Sequence, residues 1–331
     1  MAVWRITPGA CLGTVALAAA ALLAAPPGRC DGPLPAAAGQ VWQEHDIRPF
    51  TAAAGPGSER HVVDWILQDT GYSTWHGSVV AALSADATAV RCFHQPPVQE
   101  RVGETVARFV AGSAAPHRFA IRVVGVKDPG WRVSLRGLLQ PIPAATPGVQ
   151  AWIASREEAA VVLGTLRKRP DFAELPTGPV LAANGVPAVV SGGRSRPYLR
   201  DLTPRPEVWP GWQPLSASCD EGFSIDVQPL LSTDMAGVEA VIRCRIDQVE
   251  RMAPLPVAVG GTGQRVDLEV PQLAAVRVGE RMRWPAGRVL VVGLGLVPWP
   301  VPGQNDAPVV SAVAPRTDVV VFIEPRLRDP G

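Results

Sequence analysis

Five histidines, a group of carboxylates and a glycine-rich turn are the features of this chain that could do chemistry. Each has a plainer reading beside it. His45, His61, His76, His94 and His117 would hold a metal only if three converged. Their spacing follows no ligand pattern, so scattered surface or half-buried rings are favoured and no metal is expected. Asp220, Glu221 and Asp226 could form a paired-carboxylate site, yet Asp226 alternates outward along its strand and suits a solvated face. Gly260-Gly-Thr-Gly263 lacks the Lys-Ser/Thr and the helix of a phosphate loop, and reads as a hairpin tip. No G-x-S-x-G, H-E-x-x-H or G-x-x-x-x-G-K-S/T occurs. Five cysteines (Cys11, Cys30, Cys92, Cys219 and Cys244) include no C-x-x-C. Buried thiols are the simple account, and one bridge stays open if the compartment is oxidising. No catalytic, cofactor-binding or metal residue is assigned, and the chain is not expected to be an enzyme. The contrary reading, a hydrolase with an unrecognised site, would need His94 or Asp226.

Composition agrees with a structural role. A chain of 331 residues with 47% hydrophobic residues can bury a real core. A net charge of +1 argues against a nucleic-acid partner. The 35 prolines and 32 glycines favour short strands and turns over long helices. At the start, Arg5 and the small, apolar run Gly9 to Ala25 read as an export signal, residues 1–25, with a retained anchor as the alternative. Residues 26–40 read as a linker rich in Pro, Gly and Ala.

The elements that follow fall into two parts. A strand is expected over Val41 to Phe50, then a helix opened by Ser58 and ended at Gly71. Two short strands, Ser73 to Val80 and Ala81 to Phe93, come next, around a turn at Ser84-Ala85-Asp86. A second helix follows Pro96-Pro97 with Val98, Val102, Val106 and Phe109 on one stripe, and Arg118 to Val126 is a strand. This β-α-β-β-α-β order makes a small α+β module over 41–127. Residues 128–331 then begin with one helix, marked by the capping box Ser155-x-x-Glu158, apolar positions Ala159, Val162, Leu163 and Leu166, and Pro170 at its end. Beyond it the period switches to two. Phe223, Ile225 and Val227, then Ala240, Ile242, Cys244 and Ile246, then Val266, Leu268 and Val270 alternate with polar residues. These are antiparallel strands with one wet and one dry face. The run Val238 to Val249 alone would reach about 40 Å at roughly 3.3 Å per residue, long for a globular strand.

Residues 150–328 resemble the secretin domain of bacterial type II and type III secretion systems. The residues that carry this come in order: a helix with a basic end at Ala159 to Arg169; the run Pro179 to Gly193, read as strand, Asn-Gly turn and return strand; Gly222-Phe-Ser-Ile-Asp-Val-Gln-Pro229, similar to the family's G-x-x-L-x-V-x-P; Arg281 to Leu294, similar to its glycine-rich hairpin; and Val319 to Arg326, similar to its closing strand. The 41–127 module is similar to the small domains that precede the secretin domain and stack into rings. Where the family carries P-L-L-G-D-I-P, this chain has Pro298 to Pro308. The resemblance implies an exported, non-enzymatic protein of the periplasm or outer membrane, acting in protein secretion by homo-oligomerisation. Its partners would be copies of itself in a ring, other secretion-system proteins and outer-membrane lipid, with no cofactor. Gly222, Pro229, Gly287 and Gly293 would shape turns. Trp209, Trp212, Trp284 and Trp299 would form an interfacial aromatic belt, or else simply pack beside prolines. The alternative is a soluble, exported β-rich binding or scaffold module without a pore.

Overall fold

The computed structural model describes residues 34, 36–112, 116–207, 211–259, 265–300 and 316–326. The expected signal, most of the linker, Cys11, Cys30, Trp209, the Gly260 to Gly263 tip and residues 301–308 lie outside them.

The N-terminal module starts with β1 (Val41–Asp46) and α1 (Arg48–Ala54), followed by α2 (Glu59–Thr70), α3 (Tyr72–Trp75), β2 (Ala82–Ala85), β3 (Ala89–His94) and α4 (Pro96–Ala111). Gly71, at φ 86°, ends α2, and its N–H returns to the Leu67 carbonyl at 3.0 Å. Pro96 and Pro97 open α4, where missing N–H groups cost nothing. Trp65, Ile66, Val102 and Phe109 are buried against Val90 and Cys92 of the three-stranded sheet β1-β3-β2. Three expectations change here. The strand expected over Val41 to Phe50 ends at Asp46, because Pro49, among the first helical positions, opens α1 from Arg48. The strand expected over Ser73 to Val80 is instead the short helix α3, because the Trp75 ring turns into the core and its Nε1–H donates to the Thr70 hydroxyl at 2.6 Å. The strand closing the β-α-β-β-α-β order, β4 (His117–Val126), leaves the module's sheet and joins a larger one.

That larger sheet contains β5 (Gln140–Ile142), β6 (Gln150–Ala154), β7 (Ala173–Glu174), β8 (Pro179–Ala182), β13 (Val289–Pro298) and β14 (Arg316–Arg326), in the order β5-β6-β13-β14-β4-β7 with β8 also on β4. One face is covered by the short helix α5 (Trp131–Ser134) and by α6 (Arg156–Arg167). The α6 residues Ala159, Val162, Leu163 and Leu166 meet Val124, Val291, Val320 and Phe322. The Ser155–Glu158 capping box forms as expected, with both reciprocal bonds. The other face, with Ile121, Val123, Val292, Val321 and Ile323, packs on a second, four-stranded sheet through Phe223, Ile225, Val227, Ala240, Ile242 and Cys244. Stacked sheets of this kind exclude water between their dry faces.

The four-stranded sheet has the order β12-β11-β10-β9, from β9 (Ala188–Pro204), β10 (Trp212–Leu231), β11 (Gly237–Ala258) and β12 (Arg265–Pro285). Every strand pair described is antiparallel. The N-terminal module docks on its outer face, where Leu230 and Val241 join the module's core. The fold is therefore α+β and β-rich, in layers of helix, sheet, sheet and module. The Arg281 to Leu294 segment is not a hairpin: β12 and β13 belong to different sheets, and Pro285 to Arg288 is the crossing between them.

Candidate functional site

The long strands bring together the features that bear on function. β10 and β11 pair only from Gly222–Asp247 to Leu231–Val238. Past that line β10 pairs with β9 alone and β11 with β12 alone. The sheet is four-stranded at its base and forks into two two-stranded arms, one from β9 and β10, the other from β11 and β12.

The residues at the crotch account for the fork. Gly222 has φ +153°, and a Cβ there would press on the Gly192 carbonyl and the Gly193 backbone. On the facing strand the register slips between Val249 and Arg251, a bulge that bends β11 away. Between the two sits Glu221, buried to 3% exposure. It accepts from the Gln248 side-chain amide and, at 3.4 Å, from the Val249 N–H across the fork. Arg194 and Arg196 of β9 approach its other oxygen at 3.5 and 3.7 Å. One carboxylate thus replaces the ladder bonds that the diverging strands give up, and its charge is balanced by two guanidinium groups.

The arms differ from the base in what they bury. Leu215, Leu255, Val270 and Leu273 are exposed, whereas the base positions Ile225, Val227, Ala240 and Ile242 are fully enclosed. Pro197 and Pro204 in β9, Pro214 in β10, Pro254 and Pro256 in β11 and Pro271 in β12 each remove a donor from the arms. The arms also touch. The Leu199 N–H of β9 donates to the Glu269 carboxylate of β12 at 2.9 Å, so one rim leans on the other.

The joint that fixes the N-terminal module to this sheet is polar and well satisfied. Asn184, 2% exposed, donates to the Arg108 carbonyl at 2.7 Å and accepts from the Leu231 N–H at 2.8 Å. Gly185, at φ 73°, gives its N–H to the Pro229 carbonyl, and a Cβ there would overlap the Phe109 ring. Arg108 reaches Glu239 at 2.7 Å and the Leu230 carbonyl at 2.9 Å. Arg281 pairs with Asp69 at 2.7 Å and Glu239 at 2.6 Å, and lies 5.4 Å from the centre of the Trp65 ring.

The residues singled out in the sequence are spread over this frame. Gly222 lies at the fork and Pro229 in the buried base, opposite Ala240. Gly287 lies in the crossing from β12 to β13. Gly293 sits where Arg132 and Trp152 leave no room for a Cβ. Trp212 is half-buried at the end of β10, but Trp284 is 2% exposed in the core and Trp299 packs partly buried over Gly125. Trp212, Trp284 and Trp299 thus stand in three separate places: a strand end, the core and the edge of the large sheet's packing. Asp226 pairs with Arg243, whereas Glu221 points to the opposite, dry side, so the two carboxylates do not converge. The His94 ring stacks edge-on with Trp75 and accepts from the Gln95 N–H at 2.8 Å. Burial lowers the pKa of His45 and of His117. Among the described residues no group of three His, Cys, Asp or Glu side chains could hold a metal ion. Cys92, Cys219 and Cys244 are free thiols, with Cys244 pushed up to about 12 by burial. Among the described residues no helix is long and apolar enough to cross a membrane.

Sequence reasoning did not find Glu221 at a fork, Glu269 on a neighbouring rim, or the Arg108–Glu239–Arg281 joint. Only the Asn184-Gly185 dipeptide signalled a turn there.

No family model matches the chain, and no curated protein does. Among solved structures it is similar to the type IV competence pilus secretin PilQ of V. cholerae, at 14% identity over 87% of this chain and 77% of that one, with a TM-score of 0.27. It is similar to ExeD of Aeromonas hydrophila at 14% identity, over 87% and 61%, with a TM-score of 0.29. A third is the AspS–GspD pilotin–secretin complex of ETEC, at 11% identity, over 87% and 63%, with a TM-score of 0.25. The chain spans less than two thirds of the length of the last two.

Proposed function

We propose that this chain is a structural subunit of a secretin-like assembly that acts by self-association and not by catalysis. The observation that carries the reading is the fork. A two-stranded ribbon is marginal in water by itself, and both arms leave strand rims without a backbone partner. Copies of the same chain supply matching rims, and closing them into a ring removes the exposed edges. Each arm strand has about eleven residues, or roughly 35 Å at about 3.3 Å per residue, the reach of a membrane-spanning strand. The β11–β12 arm exposes Leu255, Val270 and Leu273, which suits lipid. The β9–β10 arm exposes Arg200, Asp201 and Asp220, which suits a watery interior. In this reading the module from β1 to α4 forms a ring below the two packed sheets, the protein is exported to the periplasm or outer membrane, and other secretion proteins dock on the module.

The second reading is a soluble, exported scaffold without a pore. The contact between Leu199 and Glu269 favours it, because the chain covers part of its own rims. Gentle detergent extraction of the full chain, followed by light scattering and negative-stain imaging, separates the two. The first expects large closed rings. Particles of one or two chains at every protein concentration would overturn it in favour of the second.

A further inference from the structure

The edge strands of the forked sheet are guarded in three ways. Prolines at 197 and 204 in β9 and at 271 in β12 delete donors. A register slip in β9, where Leu199 faces Ser216 and Asp201 faces Leu215, leaves Arg200 without a partner and breaks the line of the rim. Side-chain carboxylates then take N–H groups near the slip: Asp201 accepts from the Leu202 N–H at 2.8 Å, and Glu269 accepts from the Leu199 N–H at 2.9 Å. The first two devices are permanent and the Asp201 bond is local to its own strand. The Glu269 bond differs because it comes from the opposite arm, across 70 residues of chain. It holds the two arms together and occupies a donor of the β9 rim at once.

We propose that Glu269 is a reversible guard of the β9 rim: in the lone chain its carboxylate occupies the Leu199 N–H and closes the arms on each other, and it withdraws when a second copy of the chain takes that rim. The inference rests on the reading of the chain as a self-associating subunit, whose regulation it adds. The partner is chemically defined as an extended strand presenting backbone carbonyls, since a carbonyl replaces a carboxylate oxygen at an amide N–H without leaving a buried charge unpaired. Release also returns the Glu269 carboxylate to water, where it is fully solvated, so the exchange carries no desolvation penalty for the guard itself.

The test compares wild type with Glu269→Ala and Glu269→Gln, each as the full chain. Two quantities are read: exchange of the Leu199 amide hydrogen in dilute, unassembled protein, and the rate of assembly, by light scattering, on dilution from detergent. Circular dichroism confirms that each variant is folded. Glu269→Ala is expected to exchange the Leu199 amide roughly fivefold faster, as for one lost hydrogen bond, and to assemble several-fold faster. Glu269→Gln retains an acceptor oxygen and falls between. Equal assembly rates, or slower assembly of Glu269→Ala, overturn the guard while leaving self-association standing. If no variant assembles under any condition, the subunit reading falls and the guard with it.

Discussion

Glu280 shows how a single buried carboxylate ties the two sheets together. It stands on β12 and accepts from the Ala145 N–H at 2.9 Å and the Thr146 N–H at 2.6 Å, in the loop before β6. Burial opposes its ionisation, but the Thr146 and Ala145 hydrogen bonds outweigh that and hold its pKa below the ordinary value. A carboxylate lowered on folding stabilises the native chain above its unfolded pKa, about 4.3, and the contribution is lost as pH falls through the lower, folded value. Glu280→Gln should therefore lose about 1–3 kcal/mol at neutral pH, and its deficit against wild type should shrink as the pH drops below about 4. Denaturant midpoints measured from pH 7 to pH 3 check this, and a constant gap across that range contradicts it. A comparable knot joins the other end of the large sheet. Asp318 on β14, 1% exposed, accepts from Trp131 Nε1 at 2.8 Å and from Arg132 Nε at 3.0 Å, and Arg132 lies over Trp152. Neither knot was legible in the sequence, because nothing local places residue 280 beside 145 or residue 318 beside 131.

At the scale of elements, alternation and capping were readable and sheet membership was not. The period-two runs at 223–227 and 240–246 became strands because each buries the face expected, whereas in 266–270 only Leu268 is buried and Val270 is exposed, because that run lies in an arm with no second sheet packed over it. The Ser155–Glu158 box fixed the start of α6 for a purely local reason. Which sheet takes β4 depends on β14, nearly two hundred residues away, and whether β12 turns back on β13 depends on β6, well over a hundred residues before it, and no local pattern encodes either. The fork is the same case: Gly222 was legible as a shaping residue, but its effect needs Gly192 and Gly193 across the pair. The Asn184-Gly185 turn joins elements as well as reversing the chain. Gly185→Ala would force a Cβ into the Phe109 ring at a positive φ, so the loop must give way or α4 must lift. The expected outcome is a stability loss of about 1–3 kcal/mol and faster proteolytic release of the N-terminal module. A wild-type cleavage pattern would show that the turn tolerates the side chain and carries no load.

For the whole molecule, the position of the N-terminal module decides which surfaces stay open. It lies on the outer face of the base, held by Arg108 and Arg281 converging on Glu239, while the inner face packs on the large sheet. With both faces of the base occupied, the arms are the part of this sheet left for partners. Glu239 is mostly buried and serves two arginines. Glu239→Ala leaves both without that carboxylate, and truncating one member of a buried network is expected to cost about 3–5 kcal/mol. Small-angle scattering should show an extended, two-body particle for the variant against a compact wild type. An unchanged radius would mean that the apolar contacts of Leu230 and Val241 hold the module alone.

The position of β14 in the large sheet has a consequence for how the chain is made. This strand is inserted between β13 and β4, pairing Asp318 with Val126 and Leu290 with Ile323. It is the last strand described, yet it fills the middle of its sheet. Until residues 316–326 emerge, the strand at 117–126 lacks its neighbour and the layer against α6 has a gap at Val320 and Phe322. Loop closure over such a separation is slow. A nascent chain therefore stays unzipped along its centre until residues 316–326 are made, and that strand acts as the bolt that locks the body shut.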